Sequence, residues 1–179
     1  MDLVNVLVKN LSSGDSVKEL SGKTGASAPQ IESLIKSAVP SLMSSMNGNA
    51  SSKDGAASLL GALSQHTNTD KVSKQIKDAD EEDGNKILEH ILGGSKNDFM
   101  TMLAKETGLD FGQTNSVLSN IAPALMSSVS AANKTNTASK DDTSITGLLG
   151  SLFVDDDDKD ILDGLKGNSL LDTLKNAIL

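Results

Sequence analysis

The chain repeats itself, and that repeat limits its fold to an assembly of two similar units. Residues 17–46 align without a gap to residues 100–129 at an offset of 83, and ten of the thirty pairs are identical. About two would be expected at ordinary residue frequencies. The identities include Leu20/Leu103, Thr24-Gly25/Thr107-Gly108, Gln30/Gln113 and Ser33/Ser116, and Pro40, Leu42, Met43, Ser44 and Ser45 recur as Pro123, Leu125, Met126, Ser127 and Ser128. The offset returns where Gly84-Asn85-Lys86-Ile87-Leu88-Glu89 meets Gly167-Asn168-Ser169-Leu170-Leu171-Asp172. Leu59-Leu60-Gly61 matches Leu148-Leu149-Gly150 only at an offset of 89, so the second linker gained residues that the following acidic stretch lost. These boundaries predict a first unit over 1–84, a second over 85–167, and a terminal helix over 168–179 that repeats only the opening of a unit and completes the second.

The units read as all-α. Each opens with a short helix carrying an apolar stripe, Leu3, Val4, Leu7 and Val8 in the first and Ile87, Leu88, Ile91 and Leu92 in the second. A second helix is expected at 16–23 and 98–106, with Gly25 and Gly108 placed for left-handed C-terminal caps. Ser27 with Gln30, and Asp110 with Gln113, have the spacing of capping boxes, in which the two side chains satisfy amides at the start of a helix. The helices they start carry apolar residues spaced by threes and fours: Ile31, Leu34, Ile35, Ala38, Val39, Leu42, Met43 and Met46, then Val117, Leu118, Ile121, Ala122, Leu125, Met126 and Val129. Pro40 and Pro123 lie inside these core helices, where a missing amide and a ring clash predict a kink or a break. Polar linkers at 47–53 and 130–140 lead to short helices at 59–63 and 148–152. No segment alternates apolar and polar residues with the β-branched enrichment of a strand.

Composition removes several chemistries. The 179 residues include no Cys, which excludes disulfides, thiolate nucleophiles and sulfur-ligated metals. Three Phe are the only aromatics, too few for a stacking platform for bases or sugars. A net charge of −8 repels phosphate backbones and anionic membranes at long range. The opening residues lack the basic region and cleavage site of a signal peptide, and no apolar run approaches the roughly 20 residues that span a bilayer. A cytoplasmic protein with no membrane partner is the expectation.

Three patterns carry candidate chemistry, and each has a plainer reading. The stretch from Val17 through Thr24-Gly25 to Ile31 and Leu34 has helix-turn-helix spacing, but its reading helix offers Gln30, Glu32 and Lys36, and its copy Gln113, Asn115 and Asn120, with no basic surround for phosphates. It reads as a helical hairpin. Asp78, Asp80, Glu82 and Glu89 fall at positions 1, 3, 5 and 12 of a calcium-loop count, but Gly84 comes one place late for the sharp turn. A solvated acidic helix start accounts for them, and Asp155 to Asp158 read the same way. Of the two histidines, His66 and His90, the second stands beside Glu89, yet no nucleophile is spaced to converge on it, and no Gly-x-Ser-x-Gly elbow occurs. No catalytic, cofactor or metal residue is assigned.

The segment from Asp83 to Gly93, followed by the Thr-Gly hairpin and the Pro-x-Leu-Met helix, resembles a bacterial domain-of-unknown-function family related to YidB-like proteins. The resemblance implies a small helical bacterial domain and transfers no catalytic residue. Thr173 stands where a second copy of His90 would be, which argues against a duplicated site.

The remaining functional signal lies at the ends. Leu3, Val4, Leu7 and Val8, and Leu170, Leu171, Leu174 and Ile178, form apolar faces whose helices carry only Asp2, Lys9, Asp172 and Lys175 as charges. They predict a non-enzymatic interaction or assembly module that binds a protein helix or another copy of itself in a groove. A helix-turn-helix-like nucleic-acid-binding protein is the alternative, opposed by the charge.

Overall fold

A computed structural model describes residues 3–136, with side chains placed through residue 132. The described residues are helical, with no strand among them. In chain order the helices are α1 (Leu3–Leu11), α2 (Gly14–Thr24), α3 (Ala28–Ala50), α4 (Lys53–Gln65), α5 (Val72–Lys77), α6 (Glu81–Leu92), α7 (Lys96–Thr107) and α8 (Phe111–Asn136). A single 3-10 turn, Gly93–Ser95, joins α6 to α7.

The start and stop signals act where their chemistry predicts. Gly25 and Gly108 end α2 and α7 at φ 70° and 69°, a left-handed conformation that costs glycine little because it has no Cβ. At Asp110 the box closes both ways: the Gln113 amide donates to Asp110 Oδ1 at 2.7 Å, and the Asp110 amide donates to Gln113 Oε1 at 3.4 Å. At Ser27 the backbone amide donates to Gln30 Oε1 at 3.2 Å. Ser13 caps α2 through the Ser16 amide, and the fully buried Ser16 hydroxyl reaches back to the Asn10 carbonyl at 2.9 Å, fixing the α1–α2 corner.

Every apolar residue expected on the two core helices is buried, from Ile31 to Met46 on α3 and from Val117 to Val129 on α8. They belong to one continuous hydrophobic cluster, which also takes in α1, α2, α4, α5, α6 and α7. The two halves of the described chain therefore share a core. Their helices also pack crosswise: α8 receives α1, α2, α4 and α5 as well as α6 and α7, while α3 receives α6 and α7 as well as its own neighbours α1, α2 and α4.

Two polar links show the same crossing. Lys23 Nζ of α2 donates to Asn120 Oδ1 of α8 at 2.8 Å, and Ser37 Oγ of α3 donates to Glu106 Oε1 of α7 at 2.7 Å. Residue 106 is the offset-83 counterpart of 23, and residue 120 is that of 37. The same pair of positions thus joins the halves in both directions.

Several boundaries correct the sequence expectation. Neither proline breaks its helix; α3 and α8 each continue through Pro40 and Pro123 in one run. A proline removes only one internal hydrogen bond, to the carbonyl four residues back, and the buried stripes on either side hold the rest of the helix. The expected linkers are shorter, since α3 runs to Ala50 and α8 to Asn136. Helix α4 fills 53–65 rather than 59–63, α5 appears where no helix was expected, and α6 begins at Glu81 because the acidic stretch supplies its first turn. The expected helix at 148–152, the acids Asp155 to Asp158 and the terminal helix at 168–179 lie outside the described residues.

Candidate interaction site

The apolar stripe of α1 is occupied by the protein's own core. Val4 is 8% exposed and Leu7 1%, with Leu3 and Val8 partly buried against the same cluster. An outward apolar face was expected from their spacing, but spacing defines a stripe without saying what it meets. The other stripe, Leu170, Leu171, Leu174 and Ile178, lies outside the described residues.

Among the described glycines, Gly84 and Gly55 are the two with no room for a Cβ, and Gly84 is the one that meets another helix of the second half. A Cβ built there would overlap the backbone carbonyl oxygen of Ser119 and lie 2.9 Å from its Cα, so α6 meets α8 backbone to backbone. Proline chemistry explains the choice of place. The carbonyl of Ser119 is the one that Pro123, lacking an amide hydrogen, cannot engage, and a glycine Cα can approach such an oxygen where any larger residue would be kept away. Further along, Ile87 and Ile91 of α6 line one cavity with Met126 of α8, so the contact between the two helices extends past Gly84. Gly84, Ile87, Leu88 and Ile91 form the buried face of α6.

That cavity, of about 160 Å³, has walls from Met46, Leu59, Ala62, Ile87, Ile91 and Met126. It is smaller than the pockets of roughly 300–1,000 Å³ that hold drug-sized ligands. His90 stands at its edge, and Asn49 Nδ2 donates to the carbonyls of His90 and Ile91 at 3.0 and 2.8 Å, capping the end of α6 from α3. A wider, more polar hollow opens over Pro123 and Ser127, with His66 Nε2 3.8 Å from Asp83 Oδ2.

The α3 face that corresponds to the covered side of α8 is bare. Ser33, Lys36, Pro40 and Ser44, spaced by three and four along one side of α3, are all exposed. Their offset-83 counterparts are Ser116 and Pro123, half-buried, and Ser119 and Ser127, 0% and 3% exposed. Sequence reasoning missed this face because it holds no apolar stripe, charge cluster or reactive group. The signal lay only in the comparison of positions 83 residues apart.

The residues proposed to read bases are held within the protein. Gln30 accepts from the Ser27 amide and hydroxyl through Oε1 and donates to the Gly108 carbonyl through Nε2 at 3.0 Å. Gln113 closes its capping box, and Asn120, 2% exposed, accepts from Lys23 and donates to the Ser116 carbonyl. Asn115 and Glu32 are half-buried, and Lys36 is exposed. The calcium-loop acids are likewise dispersed: Asp80 caps α6 through the Glu82 amide, Glu82 pairs with Lys86 at 3.0 Å, and Glu89 with Lys96 at 3.4 Å. Among the described residues no three acidic or histidine side chains gather as a metal-ligand set. The hydrogen bond and charge of Glu82 raise the Lys86 ammonium pKa above its ordinary value.

A hairpin with internally bonded readers, an enclosed apolar core and one uncovered core-helix face defines a helical bundle without an assigned chemistry. The model of DUF937, a bacterial protein family of unknown function, matches residues 6–132, and the chain belongs to that family. Searches of curated proteins and of solved structures find no match. No described helix is long and apolar enough to cross a membrane.

Proposed function

We propose that this member of DUF937 is a non-enzymatic helical interaction or assembly module, cytoplasmic and built from two duplicated units, whose working part accepts a helix against a core helix. One observation carries the reading: α8 is covered by a helix seated glycine-first on its proline-freed carbonyl, while the matching face of α3 is exposed. The ten identities at offset 83, the paired left-handed glycines and the crossed Lys23–Asn120 and Ser37–Glu106 links support duplication as the origin of that asymmetry. The resemblance of residues 83–93 to YidB-like proteins belongs to the same reading.

The nucleic-acid alternative has less support, since Gln30, Gln113, Asn120 and Lys23 are held in internal hydrogen bonds and the chain carries a net charge of −8. Light scattering on the full chain across a wide concentration range tests the self-associating form. A rise in mass toward a dimer is the expected result. A monomer of 18.5 kDa throughout would remove self-assembly and require a partner of a different sequence.

A further inference from the structure

We propose that the polar hollow between the end of α4, the α5–α6 corner and α8 is a binding site for a linear aliphatic di- or polyamine. The inference is independent of the helix-accepting reading above and stands or falls without it.

The hollow has a volume of about 480 Å³, within the range of roughly 300–1,000 Å³ that holds small ligands. Two side chains in its wall, each more than nine-tenths buried, carry polar atoms with nothing to bond. Gln75 of α5 is 8% exposed, and its Nε2 donates to the carbonyls of Asn68 and Asp70 at 3.3 and 2.7 Å. Those two bonds fix the amide, while its Oε1 has no hydrogen bond among the described residues. Ser127 of α8 is 3% exposed, and its hydroxyl is likewise without a partner among the described residues. Ser119 and Ser128 of the same helix bond the carbonyls of Asn115 and Ala124 at 2.7 and 2.8 Å, so Ser127 departs from its neighbours. Among the described residues, the side-chain polar atom that is both sealed off and unpaired is Ser12 Oγ. Gln75 Oε1 and Ser127 Oγ are therefore not sealed, and they open on the hollow that their residues line.

The rim decides the sign of the ligand. Asp78, Asp80 and Asp83 stand around it, and among the described residues none of them has a lysine partner; Lys74 is paired with Asp70 and Lys86 with Glu82. Asp80 uses one oxygen to cap α6 at the Glu82 amide, and His66 Nε2 lies 3.8 Å from Asp83 Oδ2. Lys23 brings a positive charge to the wall by donating to the Ala79 carbonyl at 3.0 Å. Three carboxylates against that lysine leave the rim negative, and with Gln75 Oε1 and Ser127 Oγ the wall is made mostly of acceptors. A cation that carries N–H donors satisfies both features.

The spread of the acids selects the kind of cation. Among the described residues no three acidic or histidine side chains gather as a set that could hold a metal, and a hard cation such as calcium needs its oxygens closed around one point. Separated carboxylates suit a molecule whose charges are also separated, with methylenes between them. The half-buried Ala79 and Pro123 supply apolar surface on which such methylenes can lie, as the stem of a lysine lies on an apolar surface with its charge in a polar one.

Calorimetric titration of the full chain with spermidine, in about 0.15 M salt so that attraction to the net charge is screened, tests the proposal. We expect one saturable site, with amide shifts in NMR spectra centred on Gln75, Ala79 and Ser127. Butylamine, with a single charge, should bind at least about 10-fold more weakly, because it lacks the charge-assisted bonds at its other end. Asp78→Asn and Asp83→Asn should each weaken spermidine binding about 3–10-fold. Glu82→Gln makes the same change of charge outside the hollow and should weaken it less than about 2-fold. Ser127→Ala should weaken binding about 3-fold without lowering Tm, because its hydroxyl has no partner within the protein to lose. This variant keeps the test decisive if an aspartate change disturbs the α5–α6 corner. Absence of saturable binding, shifts spread over acids outside the hollow, or equal weakening by Glu82→Gln and Asp83→Asn would overturn the proposal. Butylamine binding as tightly as spermidine, or calcium displacing spermidine at equal concentration, would also overturn it, since either would make the hollow a site for a single point charge.

Discussion

Helices α3 and α8 carry nearly the same sequence pattern and have different surroundings. Both bury a full apolar stripe, both hold a proline at the same place, and both follow a capping box and a left-handed glycine. Yet α8 is enclosed on almost every side, so that even Ser119 and Ser127 lose contact with water, while Lys36 and Ser44 at the same positions of α3 remain exposed. The difference lies in the neighbours. A serine is tolerated in the interior of α8 because its hydroxyl can bond within its own helix, as Ser119 does to the Asn115 carbonyl at 2.7 Å.

The contrast is broken most severely at Gly84. Gly84→Ala should destabilise the protein by about 1–3 kcal/mol, because its Cβ meets backbone rather than a side chain that can swing away. In a chain of this size that is a fall in Tm of very roughly 2–12 °C. Gly61→Ala, in an open helical position of α4, should instead stabilise by about 0.5–1 kcal/mol. Equal melting of the two variants would show that α6 does not approach α8 as closely as described.

The crossed links sharpen the comparison with a smaller effect. Lys23→Met removes a donor from Asn120, 2% exposed, and leaves a buried amide oxygen short of a partner, at a cost of about 1–3 kcal/mol. Glu106→Ala removes the counterpart link at the exposed end of the contrast, where a hydroxyl can turn to water, and should change stability by less than about 0.5 kcal/mol. Urea midpoints of the two variants measure the difference. Equal losses would mean that the two crossings are equally buried and that the α3 side is not open.

The sequence revealed local structure well and neighbours poorly. Capping boxes, left-handed glycines and the spacing from Ile31 to Met46 act within a few residues, so they could be read directly. Helix α5 could not, because its six residues contain only Val72 and Ile76 as apolar positions, less than a period requires. The stripe on α1 identified Val4 and Leu7 as residues that bury but not their partner, and they meet the protein's own core. The exposed face of α3 left no trace in α3 itself. It becomes visible only when Lys36 and Ser44 are set beside Ser119 and Ser127, and when Gly84 is seen against the carbonyl that Pro123 leaves free.

The central claim is that the two halves interlock as one cooperative structure and do not fold as separate units. Equilibrium urea unfolding of the full chain, with Leu34→Ala in the first half and Leu118→Ala in the second, tests it most directly. Both residues are fully buried in the shared cluster, and each truncation should cost about 2–5 kcal/mol. The account predicts one transition, followed alike by every probe and moved to lower urea by either variant. Two transitions, with Leu34→Ala shifting only one and Leu118→Ala only the other, would contradict it.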